Sequence, residues 1–160
     1  MTDMVDKSPM EKWLIFIASL LITGVFVFMG FVPKFMGTPE SQYMFGQLLA
    51  ERSGVALFEP YGRWGIGLAE MAIVILLWIP GKRHIAGGLA AVLMAGAVAS
   101  HLLWIGVITH FPVKGETPPF DASTATQGDN GMLFSLALLV LVCGVYLVIK
   151  AKPSFMIFKS

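Results

Sequence analysis

Four apolar runs, each about as long as a bilayer's hydrocarbon core is thick, constrain this chain more than any other feature. They fall at about residues 13–32, 62–79, 85–108 and 131–149. A helix needs roughly 20 mostly apolar residues to cross a membrane. The first and fourth runs carry no charge, the second holds Arg63 and Glu70, and the third holds His101. Apolar residues are continuous within each run and do not alternate, which fits helices and not the short strands of a membrane barrel. The expectation is an all-α chain, a four-transmembrane-helix antiparallel bundle making one transmembrane domain over 1–160. The first run is too long for a leader's apolar core and no A-x-A site follows it, so it reads as a retained span.

Composition agrees. Apolar residues make up 56% and charged residues 13%, where a soluble domain carries about 25% charged. Mean hydropathy is +0.77. A formal net charge of +1 gives no electrostatic case for nucleic acid. Cys143 stands alone, which excludes an intrachain disulfide or a CxxC redox centre.

The basic residues set an orientation. Of 11 Lys and Arg, seven fall in the N-terminal tail (Lys7, Lys12), the PGKRH turn (Lys82, Arg83) and the C-terminal tail (Lys150, Lys152, Lys159). Lys34, Arg52, Arg63 and Lys114 lie on the other side. The positive-inside bias therefore predicts both termini in the cytoplasm, N-in and C-in. The four tryptophans fall near span ends, Trp13 and Trp78 inside and Trp64 and Trp104 outside, as interfacial anchors. Pro80-Gly81 reads as a tight turn joining spans two and three.

Two outer loops leave room for extramembrane structure. Thr38-Pro39-Glu40 resembles a helix start, and Met44, Phe45, Leu48 and Leu49 follow at helical spacing until Gly54. A short amphipathic helix at the outer surface is expected there. The second loop, 109–130, is rich in Pro, Thr, Gly and Ser and is expected to be irregular. Within the membrane, helices associate by close packing and polar contacts. Gly87, Ala91, Ala95 and Ala99 of span three recur every four residues and are expected to form a smooth packing stripe.

Charge inside the membrane points to chemistry. An ionisable side chain at mid-bilayer costs roughly 2.5–3.5 kcal/mol on insertion scales, so it faces protein or a cavity and has a partner. At 1.5 Å per residue, Glu70 is about 12 Å and His101 about 10 Å below the outer ends of their spans. They share a level on sequential antiparallel helices and are expected to pair. Arg63 is seven residues before Glu70, on the same face and nearer the outer surface. Lys34 follows span one, and Asp129 and Asn130 precede span four. Two readings stand for each. Glu70 and His101 are either a hydrogen-bonded pair fixing helix register or a proton-handling or catalytic pair in an outward-facing pocket. Lys34, Arg63, Asp129 and Asn130 are the ligand-binding candidates around it. Lys34 alternatively snorkels at the interface, and Asp129 and Asn130 alternatively cap the next helix. No metal site is expected: there is no HExxH or Cys/His cluster, and one intramembrane histidine does not support a two-histidine haem.

With these residues in view, the chain resembles the DoxX/DoxD-like family of small four-span membrane proteins. The shared segments are GFVPKFMG closing span one, YGRWGIGLAE entering span two, LLWIPGKR at the hairpin, GGLAAVLMAGAVASH in span three and DNGMLFSLALL opening span four. The match covers about 14–149, and Lys34, Glu70 and His101 are its most telling positions. The long second outer loop departs from the family's pattern. The resemblance implies a quinone-linked redox setting in the bacterial cytoplasmic (inner) membrane. Quinone is then the expected cofactor, and partner redox subunits or a homo-oligomer the expected company within the lipid bilayer. This sequence contains no redox-active group of its own, so electron transfer needs a bound quinone or a partner. The alternatives are a structural or assembly protein without its own activity and a carrier for a small solute or proton. Four spans without a broken helix argue against the carrier.

Overall fold

The computed structural model describes residues 7–111 and 127–152. Among them the architecture is the expected all-α bundle of four spanning helices. These are α1 (Pro9–Met36), α3 (Tyr61–Trp78), α4 (Arg83–Ile105) and α5 (Met132–Lys150). A shorter helix, α2, runs as α-helix over Pro39–Tyr43 and continues with π-type bonding over Met44–Glu51. Each spanning helix is long and apolar enough to cross a membrane. Their outward faces carry large apolar side chains such as Phe28, Val92, Leu103 and Val142, all mostly exposed. Such a surface suits lipid and not water.

Sequence signals explain the helix ends. Ser8 opens α1 with a capping box: its Oγ accepts from the Glu11 N–H at 3.2 Å, and its own N–H donates to Glu11 Oε2 at 3.4 Å. Pro9 occupies the first turn, where its missing N–H costs nothing. The helix then runs 28 residues, about 42 Å, well beyond the expected end near Val32. It passes Pro33 because Val25–Phe31 is a π-helical stretch, and the wider turn gives the proline ring room. Gly37, with φ of +62°, closes it in the left-handed conformation. Lys34 therefore lies inside α1 and does not follow it.

The helices run antiparallel. Lys34 of α1 meets Glu70 of α3 near one end, and Thr23 accepts from the Trp78 indole N–H at 3.1 Å toward the other. Trp78 is exposed on the bundle surface, its N–H spent on this bond and its ring edge-on to Phe16. A tight turn through Gly81 (φ +78°) joins α3 to α4. Lys150 reaches Glu11 at 3.2 Å, and Lys7 Nζ donates to the Lys152 carbonyl at 3.2 Å. Both ends of the described chain therefore lie at the bundle end opposite α2.

The closest helix approach is between α4 and α5. A Cβ on Gly144 would stand 2.6 Å from the Gly87 carbonyl oxygen, and one on Gly87 would stand 2.7 Å from that of Gly144. Ala91 also touches Gly144, but Ala95 and Ala99 are exposed. The expected four-residue stripe is only half used. Each step of four advances about 40° around a 3.6-residue helix, so the stripe leaves the interface by its third member. The buried face is instead Ala86, Gly87, Ala90 and Met94. The main core joins these to Ile15, Ile22 and Phe26 of α1, Leu77 of α3 and Val140 and Leu147 of α5.

The α2 segment covers the end of the bundle opposite Lys7 and Lys152. Thr38 caps it, accepting from the Ser41 N–H. Tyr43, Phe45, Leu48 and Leu49 are buried in a second cluster with Ile105, flanked by Phe58, Ile66, Trp104 and Phe111. The described ends of the second loop pair as a small antiparallel ribbon, His110 opposite Gly128 and Phe111 opposite Gln127. That ribbon replaces the irregular ends expected there. The rest of that loop, 112–126, lies outside the described residues.

Candidate functional site

Between α2 and the halves of the spanning helices nearest to it lies a cavity of about 580 Å³. Its wall is mainly apolar, with Phe26 and Met29 from α1, Phe45 and Leu49 from α2, Met94 from α4 and Leu136 from α5. Gly96 and Ala97 on α4 supply little side-chain volume, which keeps the space open. A Cβ on Gly96 would meet nothing within 4 Å. The polar residues of the wall include Lys34, Glu40, Ser41, Glu70, Ser100 and His101.

Glu70 is 3% exposed, and its partner is Lys34. The ammonium bonds both carboxylate oxygens, at 2.8 Å and 2.9 Å, and also lies 5.9 Å from the Phe45 ring centroid. Paired charge of this kind is the form in which ionisable groups persist away from water. The carboxylate sits where Gly30 has no side chain. The expected Glu70–His101 pair is absent. Lys34 reaches Glu70 because α1 continues to Met36, whereas His101 lies in the last turn of its helix, which ends at Ile105 and not near Ile108. His101 is thus about 6 Å from the helix end and shallower than expected.

The His101 ring is held by its own helix terminus. Nδ1 lies 2.8 Å from the carbonyl oxygen of Gly106. A carbonyl only accepts, so Nδ1 carries the proton and Nε2 of the neutral ring is an acceptor. Gly106 can fold back this way because its φ is +95°. Its own N–H returns to the His101 carbonyl at 2.7 Å. The ring also packs edge-on to Phe134. Among the described residues Nε2 has no hydrogen-bond partner, and His101 borders the cavity.

Arg63 shares the Glu70 face of α3, as its spacing predicts, but it is outside the cavity wall. It grips Glu59 through Nε at 2.7 Å and through Nη2 at 2.8 Å, and its Nη1 donates to the Lys34 carbonyl. Arg63 therefore ties the loop before α3 to the end of α1 and backs the ion pair from outside. Glu59 was not singled out from sequence, although it stands four residues before Arg63, the spacing of a helical ion pair. Ser41 and Gly30 were also missed, and neither carries a signal in a single sequence.

Asp129 acts as a cap. Oδ1 accepts from the Thr109 N–H at 2.8 Å and the Gly131 N–H at 3.0 Å, and Oδ2 from the Leu133 N–H at 3.0 Å. Asn130 is exposed in the turn with φ of +54°, a conformation asparagine tolerates. Neither borders the cavity. Outside the spans, burial of Tyr43 on the covered face of α2 raises its phenol above its ordinary pKa, with nearby Arg52 opposing. Among the described residues no three His, Cys, Asp or Glu side chains gather as a metal would need.

No family model matches the chain, and the searches of characterised proteins and of solved structures find no significant match either.

Proposed function

We propose that this membrane protein is a quinone-interacting or accessory subunit of a membrane redox complex, and that the outer cavity receives the quinone head group. The observation that carries the reading is His101, whose Nε2 has no hydrogen-bond partner among the described residues beside a mainly apolar space of about 580 Å³. That volume is within the roughly 300–1,000 Å³ of small-molecule sites, which pair an apolar wall with a few placed polar groups. A lipid-soluble aromatic head group with oxygen substituents suits both properties. Bound there, a quinone would carry electrons to or from a partner subunit.

In this reading His101 orients the ligand, accepting from a hydroxyl through Nε2 when neutral and donating to a carbonyl when protonated. Lys34 and Glu70 border the same space and serve proton exchange. Arg63 and Glu59 hold Lys34 in place, while Asp129 and Asn130 shape the start of α5. The resemblance to the DoxX/DoxD-like family belongs to this proposal, as do the bacterial cytoplasmic membrane and the N-in, C-in orientation.

The test is to purify the full chain from its native membrane with whatever subunits accompany it. Extractable quinone is then measured, and a benzoquinone with a ten-carbon tail is titrated. Retained quinone and saturable binding, weakened in His101→Ala, are expected. Absence of binding, or binding and turnover unchanged in both His101→Ala and Glu70→Gln, would sink the reading.

The fully engaged Lys34–Glu70 ion pair favours a second reading, a structural or assembly subunit in which the pair locks α1 to α3. That reading predicts that His101 substitutions change complex yield or stability and no ligand affinity.

A further inference from the structure

The end of the bundle opposite α2 carries a recess of its own, of about 350 Å³, lined by Pro9, Lys12, Trp13 and Phe16 at the start of α1. A row of aromatic rings leads from it to α3. Trp13 packs edge-on to Phe16 at 6.0 Å between centroids, and Phe16 edge-on to Trp78 at 5.9 Å. The Arg83 guanidinium lies 6.0 Å from the Trp78 ring, at the far end of the row. Lys12 stands one helical turn before Phe16, on the same face of α1. The Lys12 ammonium and the Trp13 indole N–H have no hydrogen-bond or ion-pair partner among the described residues. Their neighbours are engaged: the Trp78 indole is bonded to Thr23, and Glu11 accepts from Lys150 and from the Ser8 N–H. Arg83 Nε donates to the Leu77 carbonyl at 3.1 Å, which holds the guanidinium in place beside the row.

We propose that this recess binds the head group of an anionic phospholipid, with Lys12 and Trp13 as its polar contacts. An ammonium and an indole N–H are donors only, so they fit the acceptor oxygens of a phosphodiester and its neighbouring esters. Arg83 adds a second positive charge from the α3 side of the aromatic row. Among the described residues no carboxylate borders the recess, so the cationic amine of a choline or ethanolamine lipid finds no partner there. A lipid whose phosphate is its only charge meets attraction alone. Below the recess, Phe16, Ile17 and Leu20 follow along α1 and are exposed. They offer an apolar surface to an acyl chain, and a water-borne phosphate would use none of it. Tryptophan suits the boundary between the two parts of such a ligand, since its ring is apolar and its N–H polar. The site lies at the bundle end away from the large cavity and does not depend on the quinone reading.

The experiment uses the full chain carrying Trp64→Phe and Trp104→Phe, so that Trp13 and Trp78 are the reporters. It is reconstituted in phosphatidylcholine vesicles, and phosphatidylglycerol or phosphatidylcholine brominated near the top of its acyl chains is titrated in. Bromine quenches indole fluorescence on contact. Brominated phosphatidylglycerol is expected to quench at about 5-fold lower mole fraction, the worth of one lysine beside anionic lipid. Lys12→Gln should remove most of that preference, and Lys12→Arg should keep it. Lys152→Gln deletes an exposed charge at the same end of the bundle and should also keep it. Glycerol phosphate added to the buffer should leave the quenching unchanged. Equal quenching by the two brominated lipids, or a preference that survives Lys12→Gln, overturns the proposal. Equal losses in Lys12→Gln and Lys152→Gln overturn it in favour of diffuse surface charge, and displacement by glycerol phosphate overturns it in favour of a water-borne phosphate.

Discussion

Gly30 and Glu70 are in direct contact across α1 and α3: a Cβ on Gly30 would stand 2.6 Å from one carboxylate oxygen of Glu70 and 2.8 Å from the other. The carboxylate fills the notch that glycine leaves, and Lys34, one helical turn further along α1, closes over it. A glycine in a spanning helix thus makes room for the buried acid.

Gly30→Ala forces that carboxylate out of its place. The expected cost is about 1–3 kcal/mol, the usual range for overpacking a filled site, read as a lower midpoint in denaturant unfolding from detergent. Gly24→Ala is the control, since a Cβ there meets nothing within 4 Å. It should be neutral or slightly stabilising. Equal effects of the two substitutions would contradict the notch.

Removing one member of the Lys34–Glu70 pair leaves a buried charge uncompensated. Lys34→Met and Glu70→Met are each expected to lower stability by about 3–5 kcal/mol. The double variant Lys34→Met/Glu70→Met should recover most of that loss, because no charge is then stranded. Additive losses in the double variant would show that the two residues do not depend on each other.

The α4–α5 interface rests on backbone contact at Gly87 and Gly144. Gly144→Leu places a side chain where the Gly87 carbonyl lies 2.6 Å from the Cβ position, so at least about 3 kcal/mol of stability, or folding itself, should be lost. Gly96→Ala, on the same helix as Gly87 but beside empty space, should fold with unchanged stability. Comparable behaviour of the two would refute the assignment of the interface.

Gly96 also allows the cavity to be filled without touching a polar group. Gly96→Leu should keep the bundle folded and reduce binding of the tailed benzoquinone at least about tenfold by occupying the space. Unaltered binding in a folded Gly96→Leu protein would move the ligand site elsewhere.

Orientation is open to a direct measurement. In a Cys143→Ser background, Asn130→Cys should react with a membrane-impermeant maleimide added to intact cells. Lys82→Cys should react only after permeabilisation. Both residues are exposed. The reverse pattern would invert the topology expected from the basic residues.

Much of the site was legible in the sequence because charge in an apolar run is costly wherever the run ends up. Lys34, Arg63, Glu70 and His101 stand out on that ground. Helical spacing put Arg63 on the face of Glu70 and foretold α2 over the outer end. Glu70 and His101, at one level by residue count, do not pair: Glu70 meets Lys34. Depth along a helix follows from a rise of 1.5 Å per residue, but which neighbour a side chain meets depends on rotation about the axis and on where each helix stops. The π-helical stretch that carries α1 past Pro33 brings Lys34 to Glu70, and the end of α4 at Ile105 turns His101 back to Gly106.

The four apolar runs determined by themselves that the chain forms spanning helices, since length and continuous apolarity are local properties that lipid reads directly. Only the tertiary structure decided that the helix ends beneath α2 enclose a cavity, that Lys34 and not His101 meets Glu70, and that the His101 ring turns back to Gly106. Those are matters of which surfaces meet. They follow from helix rotation and side-chain volume summed over several elements, at glycines such as Gly30, Gly87 and Gly144, where the absence of a side chain sets the distance between backbones.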